Sequence, residues 1–408
     1  MILRARGRKY LLSYEMNVHR GDTRRQLLDA IDRYVVPVRD RVRADGPFGI
    51  APRVGRTLLR ELAAPRAAAD LRARLEERGL FALTVNAFPL QDFHARRVKE
   101  QVYSPPWTTR ERAVLTQRAA DLLAILAPDG LTATISTLGG TYRSWGHEQR
   151  DFERMAGHYL LTVRHLAEIE RRTGKRLVLT VEPEPDTTLE TADDVVALVD
   201  RFLRPKLAEV IARPLRLARA AAADLFQRHF QVNLDVCHQS VLFRDPVQEW
   251  RKLEAAGLSV GKLHLTSALA LERPGRRASA FQELRHYDEP RYLHQFAARR
   301  EDHTLVRGAD LSHLDAVDLR DVTEVRCHFH VPLSSARIGR LGTTRADTER
   351  ALRFALRHPQ PPALVIETYT WPLLASGRSP ERQIRGIARE YRWVRSTAAA
   401  PLRNKPRK

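Results

Sequence analysis

Leu177-Val-Leu-Thr-Val-Glu-Pro-Glu184 is a short run in which apolar residues alternate with polar ones and the last residues carry carboxylates. In a strand the side chains at i and i+2 share a face, so Thr180, Glu182 and Glu184 align while the apolar residues fall on the other face. Three further runs repeat the design. Phe230-Gln-Val-Asn-Leu-Asp-Val-Cys-His238 aligns Asn233 with Asp235, and Val260-Gly-Lys-Leu-His-Leu-Thr266 aligns Lys262, His264 and Thr266. The last, Leu364-Val-Ile-Glu-Thr-Tyr369, ends on Glu367 and its neighbours. An apolar outer face with polar strand ends suits a (β/α)8 barrel, where helices cover the outside and the C-terminal strand ends build the active site.

Outward from these four, strand-like runs alternate with helical patterns along the whole chain. Leu11 to His19, Phe81 to Phe88, Ala133 to Leu138 and Glu324-Val-Arg-Cys-His-Phe-His-Val-Pro332 bring the set to eight, and Pro47 to Val54 offers a ninth whose membership the sequence leaves open. Inward parity recurs in runs not selected for chemistry: Ser13, Glu15, Asn17 and His19 share a face, as do Arg326, His328 and His330. Helices are expected over Arg24 to Ala44 (capped by Asp22 or Thr23), Ala64 to Arg78, Glu148 to Thr173 and Asp193 to Phe202 (capped by Thr191 or Asp193). Ala268 to Ser312, rich in Arg and Pro, reads as the longest irregular connection and a lid over the barrel mouth. The expectation is one α/β domain, a single (β/α)8 TIM barrel with loop insertions over residues 1–395, followed by a disordered basic tail over 396–408.

The chain has 408 residues, 43% hydrophobic, and a formal net charge of +20. Its arginines are scattered through every segment rather than gathered in one stripe, which reads as a solvated surface and argues against specific nucleic-acid binding. Cys237 and Cys327 are the only cysteines, and their positions suggest neither a disulfide framework nor a zinc ribbon. The basic N-terminus runs into a segment too short and polar for a signal peptide, and no stretch is apolar enough to span a bilayer, so a soluble, cytoplasmic protein is expected.

Glu182, Asp235, His264 and Glu367 form a set of three carboxylates and an imidazole suited to a divalent ion, Mn²⁺ or Mg²⁺ first, with Zn²⁺, Co²⁺ or Fe²⁺ as alternatives. His328 and His330 compete with His264 for the imidazole position, while His238, just past its strand, suits a contact to a substrate oxygen. The competing reading pairs each strand-end carboxylate with one of the many arginines. If the site is catalytic, Glu182 and Glu367 would exchange a proton as base and acid in an isomerisation or epimerisation, with His238 holding a substrate oxygen. The loops Asn86 to His94, Gly139 to Trp145 and Tyr287 to Gln295 are expected to form the pocket, with His19, Asn86, His94, Trp107, Trp145 and His294 as substrate contacts. Phosphate-loop, dinucleotide and serine-elbow motifs are absent from the sequence.

Tyr14-Glu-Met-Asn-Val-His-Arg-Gly-Asp22, Val85-Asn-Ala-Phe-Pro89, Val102-Tyr-Ser-Pro-Pro-Trp107, Glu182-Pro-Glu-Pro-Asp186, Asp235-Val-Cys-His238, His328-Phe-His-Val-Pro332 and Glu367-Thr-Tyr-Thr-Trp371 resemble the EboE group over nearly the whole chain. Those proteins are called metabolite traffic proteins and are placed among the xylose isomerase-like TIM barrels. The resemblance implies a barrel related to sugar isomerases, epimerases and endonuclease IV. It further implies a role in processing or handing over a secondary-metabolite precursor destined for export, beside a prenyltransferase-like membrane protein. In the wider epimerase superfamily Glu, Asp, His and Glu from successive strand ends hold a metal, which maps onto Glu182, Asp235, His264 and Glu367. The EboE pattern more often carries Gln where this chain has His264, which brings His328 and His330 forward. Two alternatives accompany the traffic role: a metal-dependent sugar or hydroxycarbonyl isomerase or epimerase, and an endonuclease IV-like phosphoesterase.

Overall fold

Parallel strands close into a ring in the computed structural model, which describes residues 1–400 apart from Arg6, Asp45 and His147. The ring comprises β1 (Arg8–Tyr14), β2 (Phe48–Ile50), β3 (Leu80–Ala82, resumed as Thr84–Asn86), β4 (Ala133–Leu138), β5 (Leu177–Glu182), β6 (Phe230–Asp235), β7 (Val260–Leu265) and β8 (Ala363–Ile366). Parallel ladders run from β3 through β8 and on to β1. β2 closes the ring by pairing with β3 and through the bridges Glu15 to Ala51 and Arg53 to Asn86. The N-terminal strand Ile2–Ala5 pairs antiparallel on β1, outside this cycle.

Two expectations about the strands are corrected. Pro47 to Val54, the optional ninth run, supplies barrel strand β2, whereas the run ending at Pro332 lies outside the barrel. Its residues Val322–Cys327 sit in a six-stranded antiparallel sheet inserted between β7 and β8. Alternation misleads here because it reports a strand with two unlike faces and says nothing about which sheet receives it. β2, buried on both faces, shows no alternation at all.

Ala268 to Ser312 is likewise not an irregular lid. It contains the strands Leu269–Glu272, Phe296–Arg300 and Leu305–Gly308 and the helix Ala278–Arg285. One of its arginines has a structural place: the Arg299 guanidinium lies 4.5 Å from the centre of the Phe243 ring, where Arg326 of the strand Val322–Cys327 joins it at 4.3 Å. Long basic side chains cover apolar surface with their stems, so a basic strand need not be solvated.

The helices begin where capping chemistry sets them. Thr23 accepts from the Gln26 amide in a reciprocal capping box, and Thr191 and Glu148 form equivalent boxes with Asp194 and Asp151. The long helix Gln149–Thr173 buries Met155, Tyr159, Leu160, Val163 and Leu166 against the barrel wall, each large apolar side chain contributing about 1.5–3 kcal/mol. The last helix, Pro380–Ala399, absorbs residues 396–399 of the expected tail, and residues 401–408 lie outside the described residues. Fully buried Arg112 donates to the carbonyls of Pro105 (2.6 Å), Ala87 (2.9 Å) and Tyr103 (3.4 Å), which ties down the long loop after β3.

Candidate metal centre and its pocket

The ends of adjacent strands bring four donors to one point. Glu182 ends β5, Asp235 ends β6 beside His264 of β7 in the ladder, and Glu367 follows β8 directly. One ligand atom from each of the four lies within 4.8 Å of every other, and all four residues are buried. His264 is the hub, its Nδ1 standing 3.0 Å from Glu182 Oε1, 3.2 Å from Glu367 Oε2 and 3.4 Å from Asp235 Oδ2. Its Nε2 faces Glu15 Oε1 at 3.2 Å, and that same oxygen accepts from Lys262 Nζ at 2.5 Å. Such a carboxylate behind an imidazole fixes the ring so that the other nitrogen addresses the ion.

The ion pairs of Glu182, Asp235 and Glu367 are with histidines, which displaces the reading in which each is held by its own arginine. Asn17 Nδ2 donates to Glu367 Oε1 at 2.7 Å, and Asp235 Oδ1 accepts from Thr266 Oγ1 at 2.8 Å. Asp235 Oδ2 is buried with no hydrogen-bond partner. A buried carboxylate oxygen left in this way costs free energy unless a cation compensates it. Burial opposes charge on His264, but Glu367 and Glu182 beside it raise its pKa well above the usual range. Burial likewise raises Glu367, yet His264 outweighs it and holds the carboxyl at about 2. The four residues form a buried group able to hold a divalent ion.

A small pocket opens above this cluster. Glu182, Glu367, His238, His328 and His330 reach its floor together with Glu184, while Phe88, Phe93, Tyr103, Tyr292 and Tyr369 make its walls. Burial pushes the Glu184 carboxyl up to about 8, and its Oε1 accepts from the Tyr103 hydroxyl at 3.1 Å. Burial holds His328 well below the usual imidazole range, with the charges of His238 and His330 adding to the effect. Lys99, a basic residue of the lining, donates to Asp310 Oδ2 at 2.5 Å.

The expected substrate contacts divide. Asn86 lines the pocket. Trp107 does not: it is fully buried against Tyr159 and donates from Nε1 to Thr137 Oγ1 at 3.1 Å. Trp145, 40% exposed, packs edge-on against Tyr142 outside the pocket, and no residue of Gly139 to Trp145 contributes to the lining. His19 turns away to stack on Tyr34, and His94 reaches the His19 carbonyl at 3.0 Å. His294 lies behind the wall, its Nδ1 3.0 Å from the His328 carbonyl.

The sequence reading did not single out Glu184, Glu15, Tyr103, Gln295 or Tyr369 as site residues. Strand parity already carried Glu184, two residues after Glu182, and Glu15 in β1's inward set. Gln295 closes the loop Tyr287 to Gln295 expected at the pocket, and Tyr103 belongs to the Val102-Tyr-Ser-Pro-Pro-Trp107 stretch, but neither was singled out. Gly139 at the end of β4 has a spatial reason: a Cβ there would meet the Glu182 carbonyl oxygen at 2.5 Å, so the chain passes close behind a donor.

No family model matches the chain, and no curated protein matches it. Among solved structures, a xylose isomerase-like TIM barrel protein from Mycobacterium smegmatis in complex with magnesium aligns over 96% of this chain and 98% of its own, at 12% identity and a TM-score of 0.50. An IOLI protein with a bound zinc atom aligns over 96% and 100%, at 11% identity and a TM-score of 0.48. D-psicose 3-epimerase with D-tagatose, from Clostridium cellulolyticum H10, aligns over 96% and 100%, at 12% identity and a TM-score of 0.47. The fold is that of a xylose isomerase-like TIM barrel.

Proposed function

We propose that this chain is a divalent-metal-dependent isomerase or epimerase acting on a small hydroxycarbonyl compound that carries an apolar or aromatic part. The observation that carries the reading is the convergence of Glu182, Asp235, His264 and Glu367 within 4.8 Å at the floor of a pocket. A bound ion would polarise a carbonyl and its neighbouring hydroxyl and so ease removal of the proton between them. Asp235 and His264 lie beneath the lining and hold position, while Glu182 and Glu367 reach the pocket itself. One of these two carboxylates takes the proton and the other returns it, on the same or the opposite face. Asn17 donates to Glu367 Oε1, while Oε2 faces His264 Nδ1 at 3.2 Å. His238 also reaches the floor, and the aromatic walls exclude water from the exchange.

A second reading is favoured by those same walls. Five aromatic rings are more than a simple sugar needs, and a protein that binds a metabolite precursor and hands it over for export, as the EboE resemblance implies, would use them without turnover. Proton exchange separates the two. Hydroxyketones with and without aromatic substituents are incubated in D₂O with Mn²⁺ or Mg²⁺, and loss of the α-proton signal is followed by NMR. The isomerase reading expects metal-dependent wash-out for at least one compound, reduced by about 10²–10⁴-fold in Glu367→Gln, with calorimetric binding of that compound retained. Binding without wash-out selects the handover reading.

A further inference from the structure

The pocket above the metal centre is nearly shut. None of its floor residues is more than 6% exposed and none of its wall rings more than 8%. The space between them is about 60 Å³, well short of the cavity of about 150 Å³ that takes one benzene ring. A ligand carrying a ring therefore enters only if part of the wall moves. The walls differ in how they are held: Phe88 and Tyr103 belong to the main core, whereas Phe93, Val98, Tyr292 and Tyr369 form a small cluster of their own. Phe93 and Val98 come from residues 87–98, which form neither helix nor strand. Few apolar contacts and little regular backbone put a segment at the low-stability end of a fold. Its near end is fixed by Arg53 Nη1, which donates to the carbonyls of Pro89 (3.2 Å) and Gln91 (3.0 Å). Its far end is fastened to the inserted region, where the amides of Val98 and Lys99 donate to the Arg291 carbonyl at 2.8 and 2.7 Å. Lys99 Nζ donates to Asp310 Oδ2 at 2.5 Å and to the Glu289 carbonyl at 3.1 Å. Lys99 does so with a φ of 40°, in the left-handed region that costs a lysine free energy. Asp310 is held independently of it, because its Oδ1 accepts from the His294 and Leu311 amides at 3.0 and 3.1 Å.

We propose that residues 91–99 are a lid latched by Lys99 to Asp310, and that an aromatic ring of the substrate replaces Phe93 against Tyr292 and Tyr369 when the lid lifts. The inference deepens the proposed function and rests on its ligand pocket. The Phe93 ring centre lies 4.6 Å from that of Tyr292 and 5.5 Å from that of Tyr369, and the two tyrosines are 5.1 Å apart. Such tilted and edge-on contacts are open to any ring of the same size. Lifting the lid takes Phe93 away and leaves the tyrosines in place. Tyr292 stays with the inserted region, its amide donating to Glu289 Oε1 at 2.7 Å, although its hydroxyl gives up the Phe93 carbonyl at 3.1 Å. A further tie to be broken is His94, whose Nε2 reaches the His19 carbonyl at 3.0 Å. Tyr369 packs on His330 of the floor with ring centres 4.8 Å apart, so a ring lodged there lies beside the carboxylates. The ligand class that fits is an aryl-substituted hydroxycarbonyl compound, its oxygens toward the metal centre and its ring on the two tyrosines.

Amide hydrogen exchange on the full-length protein, without metal or ligand, tests the lid. The Val98 and Lys99 amides are expected to exchange through a local opening that low denaturant leaves unchanged, faster than the strand Leu177–Glu182, whose exchange follows global unfolding. Lys99→Met is expected to speed exchange at Val98 by about 10–100-fold and to leave that strand as it is. Exchange of both amides in wild type only with global unfolding overturns the lid. The ring site is tested by calorimetry on Mn²⁺-loaded protein with two metal-chelating probes, acetohydroxamate and the bulkier benzohydroxamate. Phe93→Ala clears the site without disturbing the latch, and is expected to tighten benzohydroxamate by about tenfold while acetohydroxamate is unchanged. An equal effect on both probes, or none on either, overturns the ring site. If neither probe binds wild type or variant, the metal-dependent reading falls and the ring site with it, while the exchange result still decides the lid.

Discussion

Glu15 and Lys262 are a buried ion pair directly beneath the hub histidine, both with side chains fully shielded from solvent. Lys262 also donates to Ser136 Oγ at 2.9 Å, so its charge is fixed on two sides. Glu15→Gln removes the counter-charge but leaves the ammonium in the barrel interior, a change expected to cost roughly 3–5 kcal/mol. It also weakens the hold on His264 Nε2, and losing such a partner lowers metal affinity about 10–100-fold. Adding Lys262→Met to Glu15→Gln should recover most of the melting temperature without recovering the affinity. If metal binding by the single variant matches wild type in calorimetric titration, Glu15 does not position His264. The sequence placed both residues on inward faces, yet they are 247 positions apart, and strand parity cannot tell which inward residues meet across a barrel. Glu182, Asp235, His264 and Glu367 could be grouped from the sequence because each sits at or next to a strand end, and the fold brings them together. The tryptophans were misplaced because an aromatic ring near a site is as readily absorbed by the core, where Trp107 lies.

At the level of elements, the last helix is fastened to the loop after β8 and to the inserted region through one carboxyl. Glu390 accepts from Thr368 Oγ1 at 2.7 Å, Trp371 Nε1 at 2.9 Å and the Leu333 amide at 3.1 Å. Burial nevertheless pushes its pKa from 4.5 up to about 7. The folded state therefore holds this proton more tightly than the unfolded chain, and its contribution is fully present below about pH 4.5 and lost as pH rises through about 7. At about 1.4 kcal/mol per unit, the swing is on the order of 3 kcal/mol. Glu390→Gln, which cannot ionise, should show a flatter melting-temperature profile between pH 4.5 and 7. Parallel profiles for the two proteins would assign the pH dependence to other groups. The barrel strands were readable because polar inner ends are rare in ordinary sheets, and the inserted sheet was not, because its basic strands read as solvated loop while the guanidiniums of Arg299 and Arg326 lie over the Phe243 ring. β2 was left open for the opposite reason: a three-residue strand buried on both sides carries no periodic signal.

Across the whole molecule, a charge of +20 invites a phosphate-binding reading, and the placement of the cations argues against it. Arginines are tied into local pairs such as Arg72 with Glu76 and Arg353 with Glu349 along single helix faces, and exposed pairs of this kind contribute little to stability or recognition. Lys99, at the pocket, is occupied by Asp310, and the floor beside it is built from carboxylates and histidines. An excess of dispersed positive charge attracts polyanions without orienting them, and its effect is screened beyond about 8 Å at physiological salt. Duplex DNA is accordingly expected to bind in filter assays only at about 10⁻⁴–10⁻⁶ M under those conditions, without sequence preference and with affinity falling steeply as salt rises. No phosphodiester cleavage is expected with either Mn²⁺ or Zn²⁺ loaded. Tight, salt-resistant binding or metal-dependent cleavage would move the protein to the phosphoesterase class and turn the aromatic walls into a surface for stacking bases, which the same five rings are equally built to supply.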